Sequence, residues 1–534
     1  MALTRNLLAG LSVAGLMLPE AVAYAGIAGL APGRAVLAAC AGGLAYALIG
    51  RSRFAILAPT SSSAAILAAA LASLPGNSAT HAVMATLLVG MVAALFGLIA
   101  VFRLGGLASF VSRPVLRGFA FGLAVTIIIR QLPTLTGVHV PAGNVGAVLA
   151  SLLSHMSALR PASLLLGMAT LIALLSLRRF PHIPGTLVVL LLTILLSLAI
   201  DLPGVGVALV GLIALDFGLL HLPSFPFALW AQLVQLAVPL TLILFAESWG
   251  TMRSLALRHG DTLEPDRELG ALAAANLASA LVQGMPVGAG FSAGSASEAA
   301  GAQSRLTGLV AAASLGVLVL FANPLVAHIP EPVLAAIVIA ALTHALAPAP
   351  IIRLFRLHRD QWIALAAAVA VIALGVLNGM LVAVALSIGA LLHRFSRPTV
   401  SELGQIGDGH DFVDRARHGD AHAVPGLAVY RPNAPLFFAN AEMSLGVIMA
   451  GALRHADAKA IVLSLEESND LDSTAIEALA EFARTLALKD RRLVLARAHD
   501  HVRDVLERAG LHELAVGATF SVADAVAKIR KGNA

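Results

Sequence analysis

Residues 17–25 read "MLPEAVAYA" and lie inside the first apolar run of the chain. Pro19 removes a backbone donor in the middle of this run, which predicts an interrupted helix. Glu20 follows directly, and a charged carboxylate at the centre of a bilayer costs several kcal/mol. A cleaved signal peptide is the alternative. We interpret the run as a retained membrane segment, because later features of the sequence pair with both residues.

The composition identifies a polytopic membrane protein. Of the 534 residues, 58% are hydrophobic and 12% are charged, whereas soluble domains carry about 25% charged residues. The first lysine is Lys459, so polarity is concentrated near the C-terminus. This distribution predicts a transmembrane domain over 1–397, a polar linker over 398–423 and an aqueous domain over 424–534.

The apolar runs predict about fourteen membrane spans, since a helix needs about 20 residues to cross a bilayer. The predicted spans are 5–25, 33–50, 59–74, 80–102, 114–133, 161–178, 185–201, 232–252, 268–284, 290–300, 303–323, 331–347, 361–377 and 379–393.

Arginine placement predicts the orientation. Arginines cluster on alternate connections, while the segments 75–81, 131–145, 201–226 and 322–332 contain no lysine or arginine. By the positive-inside rule, both termini are expected in the cytoplasm, and the protein in the plasma (inner) membrane. We interpret the net charge of +5 as a topology signal, so no nucleic-acid partner is expected.

Two short spans share one pattern. "LAPTSSSAAILAAA" begins at Leu57 and "MPVGAGFSAGSASEAA" begins at Met285. Each follows a span with a glutamate, Glu20 or Glu247, and the distances agree: 59 − 20 = 39 and 286 − 247 = 39. The alternative is a pair of ordinary kinks filled with small residues. The paired glutamates favour two homologous halves of seven spans each. Because seven is odd, the two halves lie in the membrane with opposite topology.

Such a repeat predicts a binding site. Two half-helices that meet near the midplane direct their N-termini at one point. Each N-terminus carries unpaired amide donors and about half a positive charge. The point between them is therefore suited to an anion.

Several strings resemble the SulP sulfate permease family, also called solute carrier family twenty-six. They are "LAGLSVAGLMLPEAVAYAGIAGLAP", "YALIGRSRFAILAP", "SRPVLRGFAFGLAVTIIIRQLP" and "NLASALVQGMPVGAGFSAGSASEAAGAQSRLTGLV". The resemblance implies a polytopic α-helical fold with a core domain and a gate domain built from a 7+7 inverted repeat. It also implies anion transport and a homodimer.

The resemblance implies the site residues as well. Glu247 matches the family's acidic residue on the eighth span, and we assign it as the ion-coupling residue, with Glu20 as a second candidate. A structural role for either carboxylate, holding the helix together, is the alternative. The implied substrate-binding residues are Glu20, Tyr24, Thr60, Ser61, Gly290, Phe291 and Ser292. For Tyr24, an aromatic side chain that only packs is the alternative.

Ala293 departs from the family pattern. Many members have an arginine after the Phe-Ser pair, whereas this chain reads Phe291-Ser292-Ala293. The site thus lacks a fixed positive charge, and an anion between two carboxylates is repelled unless one of them is neutralised. Uptake coupled to H+ or Na+ is therefore favoured over simple exchange.

The C-terminal residues alternate between strand-like and helix-like patterns, which predicts a small α/β domain. "LFFANAE" (436–442) and "LDSTAIEAL" (471–479) resemble the STAS domain that the family carries at its C-terminus. Ser473 could be phosphorylated as in related proteins, but we favour a simple N-cap at Asp472 or Ser473. His410, His418 and His422 lack zinc-site spacing, and no cofactor is expected.

The main hypothesis is a secondary active transporter for an anion of the sulfate, bicarbonate or dicarboxylate class. The alternatives are a nucleobase or other neutral-substrate symporter on the same fold, and an anion channel. The sequence contains no P-loop, metal cluster or nucleophile–base arrangement that would indicate an enzyme or an ATP-driven pump.

Overall fold

The computed structural model describes residues 2–106, 112–140, 143–180, 185–215, 226–343, 345–358, 360–397, 399–407 and 409–532. The chain divides into two compact units, Met1–Ile388 and Gly389–Ala534.

The first unit is helical. Its helices are α1 (Ala2–Ala28), α2 (Pro32–Ile49), α3 (Ser61–Ala72), α4 (Ser78–Val101), α5 (Arg113–Thr136), α6 (Val145–Ser154), α7 (Pro161–Leu177), α8 (Gly185–Ala199), α9 (Phe227–His259), α10 (Pro265–Leu281), α11 (Phe291–Ala299), α12 (Leu306–Phe321), α13 (Asn323–Val326), α14 (Glu331–Leu342), α15 (Ala349–Leu357) and α16 (Gln361–Leu374). Helix α17 (Val376–Ser396) begins in this unit and ends in the second.

The predicted spans are confirmed within the described residues, where each of the fourteen coincides with one helix. Helices α6, α13 and α15 are additional short elements that the hydropathy pattern did not indicate. Six of the described helices, including α1 and α9, are long and apolar enough to cross a membrane on their own. Helices α3 and α11, with 12 and 9 residues, have half the usual length.

Packing follows the repeat. Helix α1 packs on α12 as α9 packs on α4, and α2 packs on α12 as α10 packs on α4. The pair α5–α16 corresponds in the same way to α14–α7, and the pair α1–α11 to α9–α3. Counting predicted spans, each contact recurs seven spans later. The pattern of contacts therefore matches a 7+7 repeat.

Pro19 does not interrupt its helix. Helix α1 is continuous from Ala2 to Ala28 with Pro19 inside it. The prediction of a broken first helix is wrong, because the loss of one hydrogen bond within a long buried helix leaves the flanking turns to hold the segment. The breaks lie instead before α3 and α11.

Those breaks contain two short strands, β1 (Leu57–Ala58) and β2 (Gly288–Ala289). They pair antiparallel, with Leu57 opposite Ala289 and Ala58 opposite Gly288. All four residues are buried. The two strands therefore hydrogen-bond each other's backbone groups, which lipid could not do.

The second unit contains a mixed six-stranded sheet. Its strands are β3 (Val400–Ile406), β4 (Phe412–Asp414), β5 (Ala421–His422), β6 (Leu427–Pro432), β7 (Ala460–Ser464) and β8 (Arg492–Ala496), in the order β4-β3-β6-β7-β8 with β5 beside β3. Strands β6, β7 and β8 are parallel. Its helices are α18 (Ala441–Arg454), α19 (Ser473–Ala487), α20 (Asp500–Arg508), α21 (His512–Gly517) and α22 (Val522–Gly532).

The sequence predicted a polar linker over 398–423, and the sheet corrects this prediction because part of the segment is folded into it. Strands β3, β4 and β5 lie within this segment, and β3 pairs antiparallel with β6, with Val400 opposite Pro432. Ser401 and Leu403 of β3 are buried. The strand was missed because its apolar residues, Val400, Leu403 and Ile406, do not alternate with polar ones, so the segment resembles a loop in sequence.

Candidate functional site

The N-terminus of α3 is ordered by its own hydroxyl groups. Thr60 is the N-cap, and its Oγ1 accepts a hydrogen bond from the Ser63 amide at 3.2 Å. Ser63 Oγ accepts one from the Thr60 amide at 3.0 Å, which completes a capping box. The proline-threonine-serine sequence thus sets the start of the half-helix and the direction of its hydroxyl groups.

Glu247 lies at this N-terminus, although it belongs to α9 in the other half of the repeat. The Thr60 hydroxyl donates to Glu247 Oε2 at 3.0 Å, and the Ser62 hydroxyl donates to the same oxygen. Negative charge is stabilised at a helix N-terminus by the amides and the helix dipole. The carboxylate therefore occupies the environment that an anion would seek.

Glu20 makes the corresponding contact with α11. The Ser292 hydroxyl donates to Glu20 Oε1 at 2.9 Å, and Gly290 is the N-cap of that half-helix. Glu20 is 4% exposed. Each glutamate thus contacts the half-helix of the opposite repeat.

Three further residues hold the extended segment before α11. The Val287 amide donates to Asn276 Oδ1 at 3.0 Å, and Asn276 Nδ2 donates to the Val287 carbonyl at 3.0 Å. Ser248 Oγ accepts from the Ala289 amide at 2.9 Å, and Ser63 Oγ donates to the Pro286 carbonyl at 3.3 Å. Sequence reasoning missed Asn276 and Ser248. A buried amide in an apolar span was the available signal for Asn276.

A cavity of about 100 Å³ lies between the two half-helices. This central cavity is smaller than the roughly 300–1,000 Å³ pockets of drug-sized ligands, so it suits a small ion or molecule. The structure brings all eight predicted site residues to it: Glu20, Tyr24, Thr60, Ser61, Glu247, Gly290, Phe291 and Ser292.

The remaining wall comes from α5, α14 and the residues that follow α14. Its residues are Ala120, Leu123, Ala341, Leu342 and Ala345. Sequence reasoning missed this wall because small apolar side chains in apolar spans carry no chemical signal. A smooth wall of this kind contributes shape and excludes water, and it offers no side-chain hydrogen bond.

The charge of the lining is negative. Among the described residues that line the central cavity, Glu20 and Glu247 are acidic and none is basic. Ala293 lines the cavity at the position where the resemblance expects arginine. Donors for an anion therefore come from hydroxyl groups and from the amides of the half-helices.

The matching distances from glutamate to proline do not reflect equivalent prolines. Pro59 directly precedes the N-cap Thr60, whereas Pro286 lies four residues before the N-cap Gly290. The half-helices start 290 − 60 = 230 residues apart, but the glutamates lie 247 − 20 = 227 apart. The halves thus differ by an insertion of three residues between glutamate and half-helix.

In the second unit, Asp472 is the N-cap of α19. Its Oδ1 accepts from the Ala475 amide at 2.8 Å, and its Oδ2 accepts from the Phe438 amide at 2.7 Å. The N-cap interpretation of Asp472 is confirmed. Among the described residues, no group of three His, Cys, Asp or Glu could hold a metal ion.

Two broken helices of opposite repeats, which meet at a buried polar cavity, define a multi-pass membrane transporter. Family models match the Sulfate permease family over residues 3–368 and the STAS domain over residues 419–526. The chain belongs to the sulfate permease family. It is an anion transporter and not an enzyme, as predicted.

Two relatives illustrate the similarity. A probable sulfate transporter of Mycobacterium tuberculosis (strain ATCC 25618 / H37Rv) is 34% identical, across 95% of this chain and 91% of the relative. The chloroplastic sulfate transporter 4.1 of Arabidopsis thaliana is 24% identical, across 95% of this chain and 77% of the relative.

Solved structures share the fold. The murine Solute Carrier 26 family member A9 anion transporter in the inward-facing state matches with a TM-score of 0.90 at 19% identity, covering 99% of this chain and 91% of that one. The transmembrane domain of the cyanobacterial bicarbonate transporter BicA matches with a TM-score of 0.63 at 23% identity, covering 73% and 98%. The predicted fold class and the STAS domain are confirmed.

Proposed function

We propose that the chain is a secondary active transporter that carries a small anion of the sulfate, bicarbonate or dicarboxylate class together with H+ or Na+. The observation that carries this proposal is that each glutamate contacts the half-helix of the other half. Glu247 accepts a hydrogen bond at the N-terminus of α3, and Glu20 accepts one at the N-terminus of α11. The sulfate transporter names of the relatives and the bicarbonate transporter name of one structural match support the substrate class.

An incoming anion competes with the Glu247 carboxylate for hydroxyl donors. Glu247 Oε2 accepts from the Thr60 and Ser62 hydroxyl groups, which are donors that an incoming anion needs. Two like charges about 4 Å apart repel by about 4 kcal/mol at an effective dielectric constant of 20. This repulsion weakens anion binding about a thousandfold. A proton on Glu247, or a Na+ beside it, removes the repulsion and frees the hydroxyl groups.

We assign Glu247 as the coupling residue and Glu20 as the second candidate. The substrate is held by the ends of the half-helices, with Glu20, Tyr24, Thr60, Ser61, Gly290, Phe291 and Ser292 as binding residues. Helices α3 and α11 carry the polar side of the cavity and α5 and α14 its apolar side. Alternating access then moves the smooth wall past the site, because apolar surfaces slide without breaking directed bonds.

Further expectations accompany this function. The protein is a homodimer in the plasma (inner) membrane, with both termini in the cytoplasm. The distribution of arginine supports the orientation.

A neutral substrate such as a nucleobase is the second candidate. One observation favours it, namely two carboxylates and no basic group among the described residues of the cavity lining. A neutral ligand with amide donors would satisfy the carboxylates directly.

Uptake into proteoliposomes tests both candidates, the ion-coupled anion transporter and the transporter of a neutral substrate. Labelled sulfate, bicarbonate and a dicarboxylate are offered with and without imposed pH or Na+ gradients. Saturable anion uptake that one gradient accelerates supports the proposal. Uptake of uracil, with no competition from any of the three anions, contradicts it. Flux at channel rates that follows voltage alone would indicate a channel instead.

A further inference from the structure

A second cavity of about 400 Å³ adjoins the central one, and we call it the vestibule. The linings of the two cavities share Glu20, Phe291, Ser292 and Ala341. An ion that leaves the central cavity past Ser292 therefore enters the vestibule. Residues of α1, α7, α8, α11 and α14 surround it.

Arg178 is the basic residue of the vestibule. Among the described residues of its lining, Arg178 and Glu20 are the charged ones. Arg178 is the C-cap of α7, and its side chain is exposed. The residue lies within the connection that the arginine pattern assigns to the cytoplasmic side.

The guanidinium of Arg178 contacts the end of α14. Nη1 donates to Thr343 Oγ1 at 2.7 Å, and Nη2 donates to the Ala340 carbonyl. Thr343 is the C-cap of α14, where the helix dipole places partial negative charge. Arg178 is thus held at the mouth of the vestibule by one of the helices that line the central cavity.

These contacts leave capacity for a ligand. A guanidinium has five N–H donors in a planar fork, which suits the bidentate binding of an oxyanion. Two of them serve the end of α14. Because the described lining of the central cavity is acidic, a cation one step outside it attracts an anion that the carboxylates would otherwise repel.

We propose that Arg178 is the binding residue of a second anion site in the vestibule, which collects the transported oxyanion on its way to the central cavity. This inference rests on the proposed function, since it concerns the same substrate. Residue 293 in the central cavity is an alanine, so the positive charge is supplied by Arg178 in the vestibule instead. There the charge attracts the anion without holding the anion beside the coupling residue.

The test compares Arg178→Gln and Arg178→Lys with the control Arg179→Gln. Arg179 is the exposed neighbour and does not line the vestibule. Sulfate uptake is measured in inside-out and right-side-out membrane vesicles, so that the two faces are sampled separately. Arg178→Gln loses the charge and keeps an amide donor on a shorter side chain, whereas Arg178→Lys keeps the charge.

We expect Arg178→Gln to raise the KM for sulfate several-fold in inside-out vesicles, with little change in right-side-out vesicles. Arg178→Lys and Arg179→Gln stay near the wild-type KM. An unchanged KM for Arg178→Gln on both faces overturns the inference, as does an equal rise on both. If both Arg178 variants lose maximal rate without a change in KM, Arg178 only caps the end of α14, and this result also overturns the inference.

A binding measurement separates this inference from the proposed function. Thermal stabilisation by sulfate, bicarbonate or a dicarboxylate is recorded in detergent. Weaker stabilisation of Arg178→Gln than of Arg179→Gln supports the vestibule site. Wild-type protein that is neither stabilised by these anions nor transports them contradicts the proposed function and with it this inference. Wild-type protein that responds, beside an equally responsive Arg178→Gln, contradicts the vestibule site alone.

Discussion

The hydroxyl of Thr60 lies 3.0 Å from the carboxylate of Glu247, although the two residues belong to different halves of the repeat. Ser292 and Glu20 repeat the relationship in the opposite sense at 2.9 Å. Each half therefore completes the polar site of the other. A change to one glutamate acts on the half-helix of the opposite repeat.

Glu247→Gln is expected to abolish the response of uptake to an imposed pH or Na+ gradient. Glutamine retains the size and an acceptor for Thr60 and Ser62, but it cannot bind a proton and offers Na+ no charge. The measurement is anion uptake into proteoliposomes with and without the gradient. Glu264→Gln, an exposed change outside the cavity, serves as the control. Gradient-driven uptake at the wild-type level in Glu247→Gln would refute the coupling role.

Ser292→Ala is expected to weaken anion binding more than folding. The change removes a hydroxyl group that lines the central cavity, where it can donate to a bound anion, and one hydrogen bond contributes about 1 kcal/mol. This corresponds to about a fivefold loss of affinity. Equilibrium binding and a thermal melt, recorded on the same preparation, check the prediction. A large drop in melting temperature without loss of affinity would assign Ser292 a structural role.

Ala293→Arg is expected to reduce the dependence of uptake on the ion gradient. The substitution supplies a fixed positive charge beside the two carboxylates, so that the anion needs no accompanying cation. Ala293 is 3% exposed, and size-exclusion chromatography should first establish that the variant folds. Counterflow and gradient-driven uptake are then compared. A folded variant with unchanged gradient dependence would contradict the electrostatic argument.

Gly288→Val is expected to destabilise the transmembrane unit by about 1–3 kcal/mol, because overpacking forces neighbours apart. A Cβ at this position lies 2.8 Å from Leu244 Cδ2 and 2.9 Å from Ser248 Oγ. The melting temperature in detergent is the measurement. Gly250→Ala on α9 is the control, since its Cβ meets nothing within 4 Å. An equal melting temperature for Gly288→Val and wild type would contradict the close packing at β2.

Ser401→Ala is expected to lower stability at neutral pH more than in acid. The Ser401 hydroxyl donates to Asp414 Oδ2 at 2.6 Å, and this bond holds the pKa of the Asp414 carboxyl below its usual value of 3.8. A lowered pKa in the folded state stabilises the protein above the unfolded pKa, and the effect is lost as the pH falls through the folded pKa. Melting curves of both proteins at pH 7 and pH 3 test this. A stability difference between wild type and Ser401→Ala that is larger at pH 3 than at pH 7 would contradict the prediction.

The sequence by itself determined the spans, the two half-helices, the two glutamates and the α/β character of the tail. Apolar runs, prolines, caps and isolated charges in membrane segments are local signals, and each is visible within a few residues. The family resemblance, rather than these local signals, implied the set of eight site residues, and all eight line one cavity.

Only the tertiary structure decided which glutamate contacts which half-helix, how β1 pairs with β2, and that Ala120, Leu123 and Ala341 form the opposite wall. It also decided that α1 continues through Pro19 and that β3 joins the sheet of the second unit. These features depend on contacts between residues that are far apart in the chain. Small apolar residues, and a strand such as β3 without a regular alternation, acquire their roles from the neighbours that they pack or pair with, which local sequence does not specify.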